Sequence, residues 1–164
     1  MEKKRKIAIC GACMGVIAVI AVAVLLIIGV GGNSPEDAIN DMAKALNELD
    51  FDAYVGTLHP ALQSDAKKGM TQENKSSYMH TLRSGMLADY PSGSKIQITH
   101  FESYDIDSAG ITEIKEQYKE LGYNVSIEQA KTYYYYSVML DSGEPDGLDS
   151  VTVVRSGAKW YLLP

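Results

Sequence analysis

The chain has 164 residues and a formal net charge of −6, from 15 Lys and Arg against 21 Asp and Glu. Four of the cations lie within the first six residues, so residues 33–164 carry 11 cations and 20 anions, a net charge of −9. A domain this acidic is expected to repel nucleic acid and anionic lipid head groups, which bind through clustered Lys and Arg. Its 132 residues indicate one domain that can bury its own core.

Residues 7–30 form a run of 24 residues without a charged side chain, directly after the basic cluster Lys3-Lys4-Arg5-Lys6. As a helix, the run would be about 36 Å long, enough to cross a hydrocarbon core about 30 Å thick. We therefore predict a transmembrane helix over residues 7–30, preceded by a cytoplasmic segment over residues 1–6. Because Lys and Arg beside a span stay on the cytoplasmic side, the domain that follows is predicted to be extracytoplasmic.

This apolar run has three other interpretations. A cleaved signal peptide usually has a shorter apolar region, and the small-x-small triplet Ala21-Val22-Ala23 lies inside the run, but cleavage stays open as an alternative. A lipoprotein site at Cys10 is disfavoured because Ile9 precedes it, and an ordinary buried helix would show a polar side. Gly11 and Gly15 have a spacing that can bring membrane helices together, but glycine is common in such spans, so the oligomeric state stays open.

Cys10 and Cys13 are the two cysteines of the chain, and both fall within the apolar run. The domain after it cannot form a disulfide or supply a thiolate, so its stability must come from burial alone, which points to a bacterial exported protein. Residues 31–33 form a linker that spans only about 10 Å when extended. We therefore expect the domain to lie against the membrane surface and its partners to be close to that surface.

The first half of the domain has the periodicity of helices. Ser34 is a capping residue before Pro35, and Ile39, Met42 and Leu46 recur at helical spacing on one apolar side. Four helices are predicted in this half. The first begins at Pro35, the second begins at Phe51 after the cap Asp50, and the third runs from Pro60 through Lys68 and stops at Gly69. The fourth begins after the cap Thr71, and its buried side consists of Tyr78, Met79, Leu82 and Met86.

The second half changes to the alternation that is typical of strands. Residues 95–99 alternate strictly, with a continuation towards Tyr104 and Ile106. A helix follows, with Ile111, Ile114, Tyr118 and Leu121 on one side and its end at Gly122. Three more strands are predicted over 127–140, 150–155 and 159–163. A connection from Asp141 to Asp149 and a tight turn at Ser156-Gly157 separate these strands. This order predicts an α+β domain over residues 34–164, with helices packed on one face of a curved antiparallel sheet.

Three stretches resemble the superfamily of cone-shaped α+β domains named after nuclear transport factor 2, also called cystatin-like. They are the opening helix Ser34-Pro35-Glu36-Asp37-Ala38, the junction Leu49-Asp50-Phe51-Asp52-Ala53-Tyr54 and the closing strand Ala158-Lys159-Trp160-Tyr161-Leu162. The resemblance is to short, exported bacterial members of this superfamily, many of which have an amino-terminal anchor and no assigned activity. The predicted helix over 111–121 departs from the simplest members and leaves the strand order open.

The resemblance implies what an active site would contain. Enzymes of the superfamily hold an Asp or His base in a conical pocket opposite Tyr hydroxyls, where burial tunes its pKa. The candidates in this chain are His59, His80, His100, Asp105 and Asp107. The histidines are 21 and 20 residues apart, which is no metal-ligand spacing, and the sequence has neither a Gly-rich phosphate loop nor a Gly-x-Ser-x-Gly turn. We therefore assign no catalytic residue, metal or cofactor from the sequence.

The tyrosines are the unusual feature of the composition, eleven against two phenylalanines, with Tyr133, Tyr134, Tyr135 and Tyr136 consecutive. In a strand, the first and third of these face one side and the other two face the opposite side. Sheet packing is one explanation, because aromatic residues favour strands. A ligand or protein interface is the other, because phenol rings combine apolar area with a hydroxyl.

From these features we predict a single-pass membrane protein whose extracytoplasmic domain binds a protein or small ligand, or acts as a scaffold, without catalysis. The alternatives are a small pocket enzyme of the isomerase or hydrolase kind and a structural ectodomain of an envelope complex. A deep closed cavity with a buried Asp or His beside Tyr hydroxyls would favour the enzyme. A shallow, filled cone would favour binding, and an exposed contiguous patch around the outward tyrosines would favour an interface.

Overall fold

The structure is a computed structural model that describes residues 32–164. The predicted transmembrane helix over 7–30 and the cytoplasmic segment over 1–6 lie outside the described residues. Between residues 32 and 164, no helix is both long enough and apolar enough to cross a bilayer.

Four helices open the domain: α1 (Pro35–Glu48), α2 (Phe51–Thr57), α3 (Pro60–Ala66) and α4 (Gln72–Leu87). The Ser34 hydroxyl accepts the Asp37 N–H at 3.1 Å, and the Asp37 carboxylate accepts the Ser34 N–H at 3.0 Å, so both ends of this capping box are formed. Asp50 and Thr71 cap α2 and α4 with their side chains, which accept the Ala53 and Asn74 N–H groups, and this confirms the predicted helix starts.

The third helix ends earlier than predicted, at Ala66 rather than Lys68. The cause is a turn in which the Lys67 carbonyl accepts the Met70 N–H at 3.2 Å. Gly69 lies in that turn with a φ of 84°, a left-handed conformation that glycine adopts without strain.

The second half contains β1 (Lys95–Ile106), α5 (Ser108–Glu120), β2 (Gln129–Met139), β3 (Pro145–Ser156) and β4 (Lys159–Leu163). The strands pair in chain order β1-β2-β3-β4, all antiparallel, so the inserted α5 does not change the strand order. The predicted α+β fold with a curled antiparallel sheet is confirmed for this part of the chain.

The predicted connection from Asp141 to Asp149 is wrong in its second half, because β3 already begins at Pro145. Leu148 and Asp149 pair with Tyr136 and Tyr135 of β2. A proline is tolerated at the first position of a strand, so the local Pro, Gly and Asp content did not prevent pairing. The strand β2 is shorter than the predicted 127–140, at Gln129–Met139.

The helices α1, α2 and α4 lie on one side of the sheet, which we call the front face. There, buried side chains of α1 pack against those of the strands; these are Ala38, Ile39, Tyr133, Tyr135, Val153, Trp160 and Leu162. A neighbouring cluster joins α1, α2 and α4 through Leu46, Phe51, Val55, Met79 and Ile96.

The helix α5 lies on the opposite side, the back face, so the prediction that the helices pack on one face is wrong for α5. Val154 and Tyr161 alternate along their strands with front-facing residues, and both pack with the apolar side of α5, including Ile114. The apolar side of α5 therefore packs on the apolar part of the back face, and each surface shields the other from solvent. Leu121, predicted on this side of the helix, follows the end of the helix and is 65% exposed.

The first described residue, Gly32, is already part of the fold. Its carbonyl accepts the Trp160 N–H at 2.8 Å, which adds an antiparallel bridge to the outer edge of β4. A Cβ on Gly32 would lie 2.4 Å from the Ala38 nitrogen, so only glycine fits this approach to α1 without rearrangement. The polypeptide therefore joins the sheet two residues after the predicted span ends at residue 30.

Candidate functional site

The four consecutive tyrosines alternate between the two faces of the sheet, as expected for a strand. Tyr133 and Tyr135 are 1% and 4% exposed and belong to the front-face core, whereas Tyr134 and Tyr136 are half-buried. Core packing therefore accounts for the first pair. The second pair lies on the back face, beyond the end that α5 covers.

The Tyr133 hydroxyl is held by a carboxylate from the first turn of α1. It donates a hydrogen bond to Glu36 Oε1 at 2.6 Å, across a sequence separation of 97 residues. This hydrogen bond lowers the pKa of Glu36 below its ordinary range. Burial and the same hydrogen bond raise the pKa of Tyr133, so at neutral pH a neutral phenol donates to an ionised carboxylate.

A small cleft opens beside this pair, and we call it the α1 cleft. The His100 ring contacts the Tyr133 ring there, with centroids 4.6 Å apart. The cleft has a volume of about 200 Å³ and is lined by Glu36, Ile39, Asn40, Ile98, His100 and Tyr133. Glu36, Asn40 and His100 are exposed, so the cleft is shallow rather than a closed cavity.

The predicted acid and base candidates do not come together. Asp105 forms an ion pair with Lys131 at 2.8 Å beside a wide depression of about 430 Å³, and Asp107 caps α5 by accepting the Gly110 N–H. His80 is exposed on α4. The only candidate that contributes to the α1 cleft is His100.

His59 is buried, 2% exposed, and acts as a structural cap. Its Nδ1 accepts the Ala61 N–H at 3.2 Å at the start of α3, and its Nε2 lies 3.0 Å from the Ser126 carbonyl oxygen. Because a carbonyl only accepts, Nε2 carries the proton and the ring is neutral. Burial lowers the pKa of His59. Its expected place at a helix end is thus confirmed, and neither nitrogen is available to a substrate.

This burial gives the domain a predictable acid sensitivity. The unfolded chain binds a proton at His59 below about pH 6.5, whereas the folded chain resists it, so stability falls as pH decreases through that value, by at most about 1.4 kcal/mol per pH unit. We expect His59→Gln to lose less stability than the parent between about pH 7.5 and about pH 5.5 in urea denaturation. His80→Gln is the control and should keep the parental pH dependence. Equal pH dependence for His59→Gln and the parent would contradict this role.

The back face carries a contiguous row of large side chains, which we call the tyrosine stripe: Tyr104, Tyr134, Tyr136 and Leu148. The Tyr104 and Tyr134 rings meet edge to face with centroids 6.0 Å apart, and Tyr136 pairs across the strands with Leu148. Tyr104 is 55% exposed and Leu148 is 56% exposed. The stripe therefore crosses three strands and presents aromatic and aliphatic surface to solvent.

The surroundings of the tyrosine stripe are acidic. The Tyr104 hydroxyl donates to the Glu102 carboxylate, and this hydrogen bond raises the pKa of Tyr104. Asp146 lies beside Leu148 along β3 and is exposed. Tyr104 and Leu148 were not predicted as site residues, because their place in the stripe depends on which residues pair across the strands.

Two negative findings bear on the class of protein. Within the described residues 32–164, no group of three or more His, Cys, Asp or Glu side chains could hold a metal ion. Comparison of the chain with known protein families, characterised proteins and solved structures gives no match. The fold and its two surfaces define the class: an α+β domain with a curled antiparallel sheet, a shallow cleft on one face and an aromatic stripe on the other.

Proposed function

We propose that the chain is a single-pass membrane protein whose extracytoplasmic domain binds a protein partner through the tyrosine stripe. The observation that carries this proposal is the open, contiguous row of Tyr104, Tyr134, Tyr136 and Leu148 on the back face. Tyrosine is enriched at protein interfaces because its ring offers apolar area and its hydroxyl a hydrogen bond. Contiguous exposed apolar patches on soluble domains mark interaction sites.

The geometry favours binding over catalysis. The α1 cleft, at about 200 Å³, is smaller than the roughly 300 Å³ typical of the smallest ligand pockets, and its histidine is exposed. The buried histidine, His59, has both ring nitrogens in structural hydrogen bonds. Neither arrangement is a buried acid or base facing a closed pocket, which the enzyme alternative requires.

The charge of the domain indicates the chemistry of the partner. With 11 cations and 20 anions in residues 33–164, and with Glu102 and Asp146 beside the stripe, the surface attracts a partner that is basic. The partner would therefore present an apolar centre with Lys or Arg at its rim. Complementary charge of this kind speeds association and weakens as salt increases.

The proposed location is supported by the sequence and by the place where the chain joins the fold. The apolar run over 7–30 and the cations before it support an anchor with the domain outside, and Gly32 already pairs with β4. The partner would therefore lie in the same membrane or next to it. The curled sheet with helices supports membership in the superfamily of nuclear transport factor 2-like domains.

Site-specific photo-crosslinking of the full-length chain in its native membrane tests this function. A benzophenone side chain at position 104 or 148 should capture one partner with a basic surface, whereas the same group at Glu116, exposed on α5, should capture none. With the purified partner, Tyr104→Ala and Leu148→Ser should each weaken binding by about tenfold or more, because central aromatic and aliphatic contacts dominate interface energies. Glu116→Ala is the matched control.

Three results would overturn the proposal. Crosslinks that form at position 116 as well as at 104 and 148 would show no preference for the stripe. A partner that binds Tyr104→Ala and Leu148→Ser as tightly as the parent would not use the stripe. If the captured protein is a second copy of this chain, the stripe is a self-association surface and the proposed partner is wrong.

A further inference from the structure

The α1 cleft contains an ionised carboxylate that is fixed on one side and open on the other. Tyr133 holds Glu36 Oε1 through a hydrogen bond of 2.6 Å, and Tyr133 itself is immobilised in the core at 1% exposure. Glu36 is exposed towards the cleft that it lines. A carboxylate held in one orientation binds a charged donor at a lower entropic cost than a mobile surface carboxylate.

The other walls of the α1 cleft suit the same kind of ligand. The exposed His100 ring stands beside the buried Tyr133 ring, with centroids 4.6 Å apart, and closes one side of the cleft. Asn40 lies one helical turn after Glu36 and adds an amide oxygen that can accept a hydrogen bond. Ile98, which is half-buried, supplies apolar surface for a short hydrocarbon chain, and Ile39 lies buried behind it.

We propose that the α1 cleft binds a small organic cation, an alkylammonium or alkylguanidinium group. The group belongs either to a free amine or to the end of a Lys or Arg side chain. This site lies on the front face, so it does not depend on the tyrosine stripe of the back face. A volume of about 200 Å³ admits a head group with a short alkyl chain and excludes a drug-sized molecule.

The charges around the cleft exclude an anionic ligand. The six lining residues include no Lys or Arg, and Glu36 would repel a carboxylate or phosphate. Lys131, two residues from Tyr133 on β2, is occupied by Asp105 at 2.8 Å. Glu36 is the one Asp, Glu, Lys or Arg among the six lining residues.

Nuclear magnetic resonance titration of the full-length chain in mild detergent tests this site. The probes are n-butylamine and n-butylguanidinium, with butyramide and butyrate as neutral and anionic counterparts of similar size. The two cations should shift the ring signals of Tyr133 and His100 in a saturable way, with Kd on the order of 1 mM, as expected for so few atoms. Butyramide and butyrate should cause no saturable shift.

Variants distinguish a specific site from a general attraction to an acidic surface. Glu36→Gln should weaken n-butylamine binding by about tenfold or more, because it removes the charged acceptor. Asp37→Asn removes the same charge one residue away, from a carboxylate that caps Ser34, and should change binding by less than about twofold. Tyr133→Phe should weaken binding to an intermediate extent, because Glu36 is then no longer held.

The remaining outcomes also decide the proposal. Equal weakening by Asp37→Asn and Glu36→Gln, or saturable binding of butyramide, would overturn it. N-acetyl-lysine methylamide separates the two sources of the cation. If it binds as well as n-butylamine, the cleft accepts a protein side chain, and if n-butylamine alone binds, the ligand is a free amine. Absence of binding by every cation would overturn the site.

Discussion

Tyr133→Ala is expected to lower the free energy of unfolding by about 3 to 5 kcal/mol, the usual cost of truncating a large buried aromatic residue. The Tyr133 ring is 1% exposed, contacts His100 and packs with the α1 residues Ala38 and Ile39. Its removal would leave a cavity between α1 and the sheet and would free the Glu36 carboxylate. Trp160, the single tryptophan, is 9% exposed and serves as the fluorescence probe for urea denaturation.

The adjacent residue provides the matched control for this experiment. Tyr134 has the same side chain in the same strand, but it is half-buried on the back face. Tyr134→Ala should cost about 1 kcal/mol, mainly from the lost edge-to-face contact with Tyr104. Equal losses for the two variants would contradict the alternation of buried and open tyrosines.

Asp52→Ala is expected to lower the free energy of unfolding by about 2 to 3 kcal/mol, because it leaves a buried cation without its counterion. The Lys67 side chain is 3% exposed, and its Nζ lies 3.2 Å from Asp52 Oδ1, an ion pair that is poorly aligned for a hydrogen bond. Lys75 donates to Asp52 Oδ2 at 2.7 Å. Asp52 is 42% exposed, so water partly compensates and the cost stays below that of a fully buried pair.

The pKa of Asp52 agrees with this role. Burial alone would raise it, but the hydrogen bond from Lys75 and the charges of Lys67 and Lys75 outweigh burial and lower the pKa of this carboxyl. A carboxyl group whose pKa is lower in the folded than in the unfolded chain stabilises the fold when the pH is above the unfolded pKa. The contribution of Asp52 is therefore present at neutral pH and is lost as the pH falls into the acid range.

Lys67→Met is the informative counterpart, because it removes the buried charge but keeps a similar volume. We expect its stability to lie within about 1 kcal/mol of the parent, or above it, because no buried charge is left and Asp52, which is 42% exposed, keeps its ion pair with Lys75. Adding Lys67→Met to Asp52→Ala should restore most of the loss, and a double-mutant cycle measures this coupling. A loss for Lys67→Met as large as that for Asp52→Ala would show that the pair itself stabilises the fold.

The elements that could be predicted from the sequence are those whose signals are local. Ser34, Asp50 and Thr71 start helices through hydrogen bonds that reach only three residues along the chain, so the sequence contains the whole signal. The start of β3 at Pro145 depends instead on pairing with Met139 and Val138 of β2. That information is not local, and the Pro and Gly content around Asp146 indicated a loop.

The same distinction applies to the candidate sites. The alternation of the four tyrosines follows from the period of a strand and could be predicted. The tyrosine stripe also needs Tyr104 and Leu148, whose positions depend on strand register and on the two irregularities in the pairing of β1. The α1 cleft joins Glu36 to Tyr133 across 97 residues, and no spacing rule in the sequence relates them.

The bridge between Gly32 and Trp160 fixes how far the tyrosine stripe lies from the point where the chain joins the sheet. Trp160 pairs with Arg155, and Arg155 pairs with Gln129, so the bridge lies at the end of the sheet where β2 begins. Tyr136 follows Gln129 by seven residues along β2. The stripe residue Tyr136 thus lies roughly 23 Å from the end of the sheet where the chain joins it. With the proposed anchor over residues 7–30, the stripe would stay within a thin layer above the bilayer. Confinement to that layer raises the effective concentration for a partner whose basic surface stands at the same height and lowers it for any other.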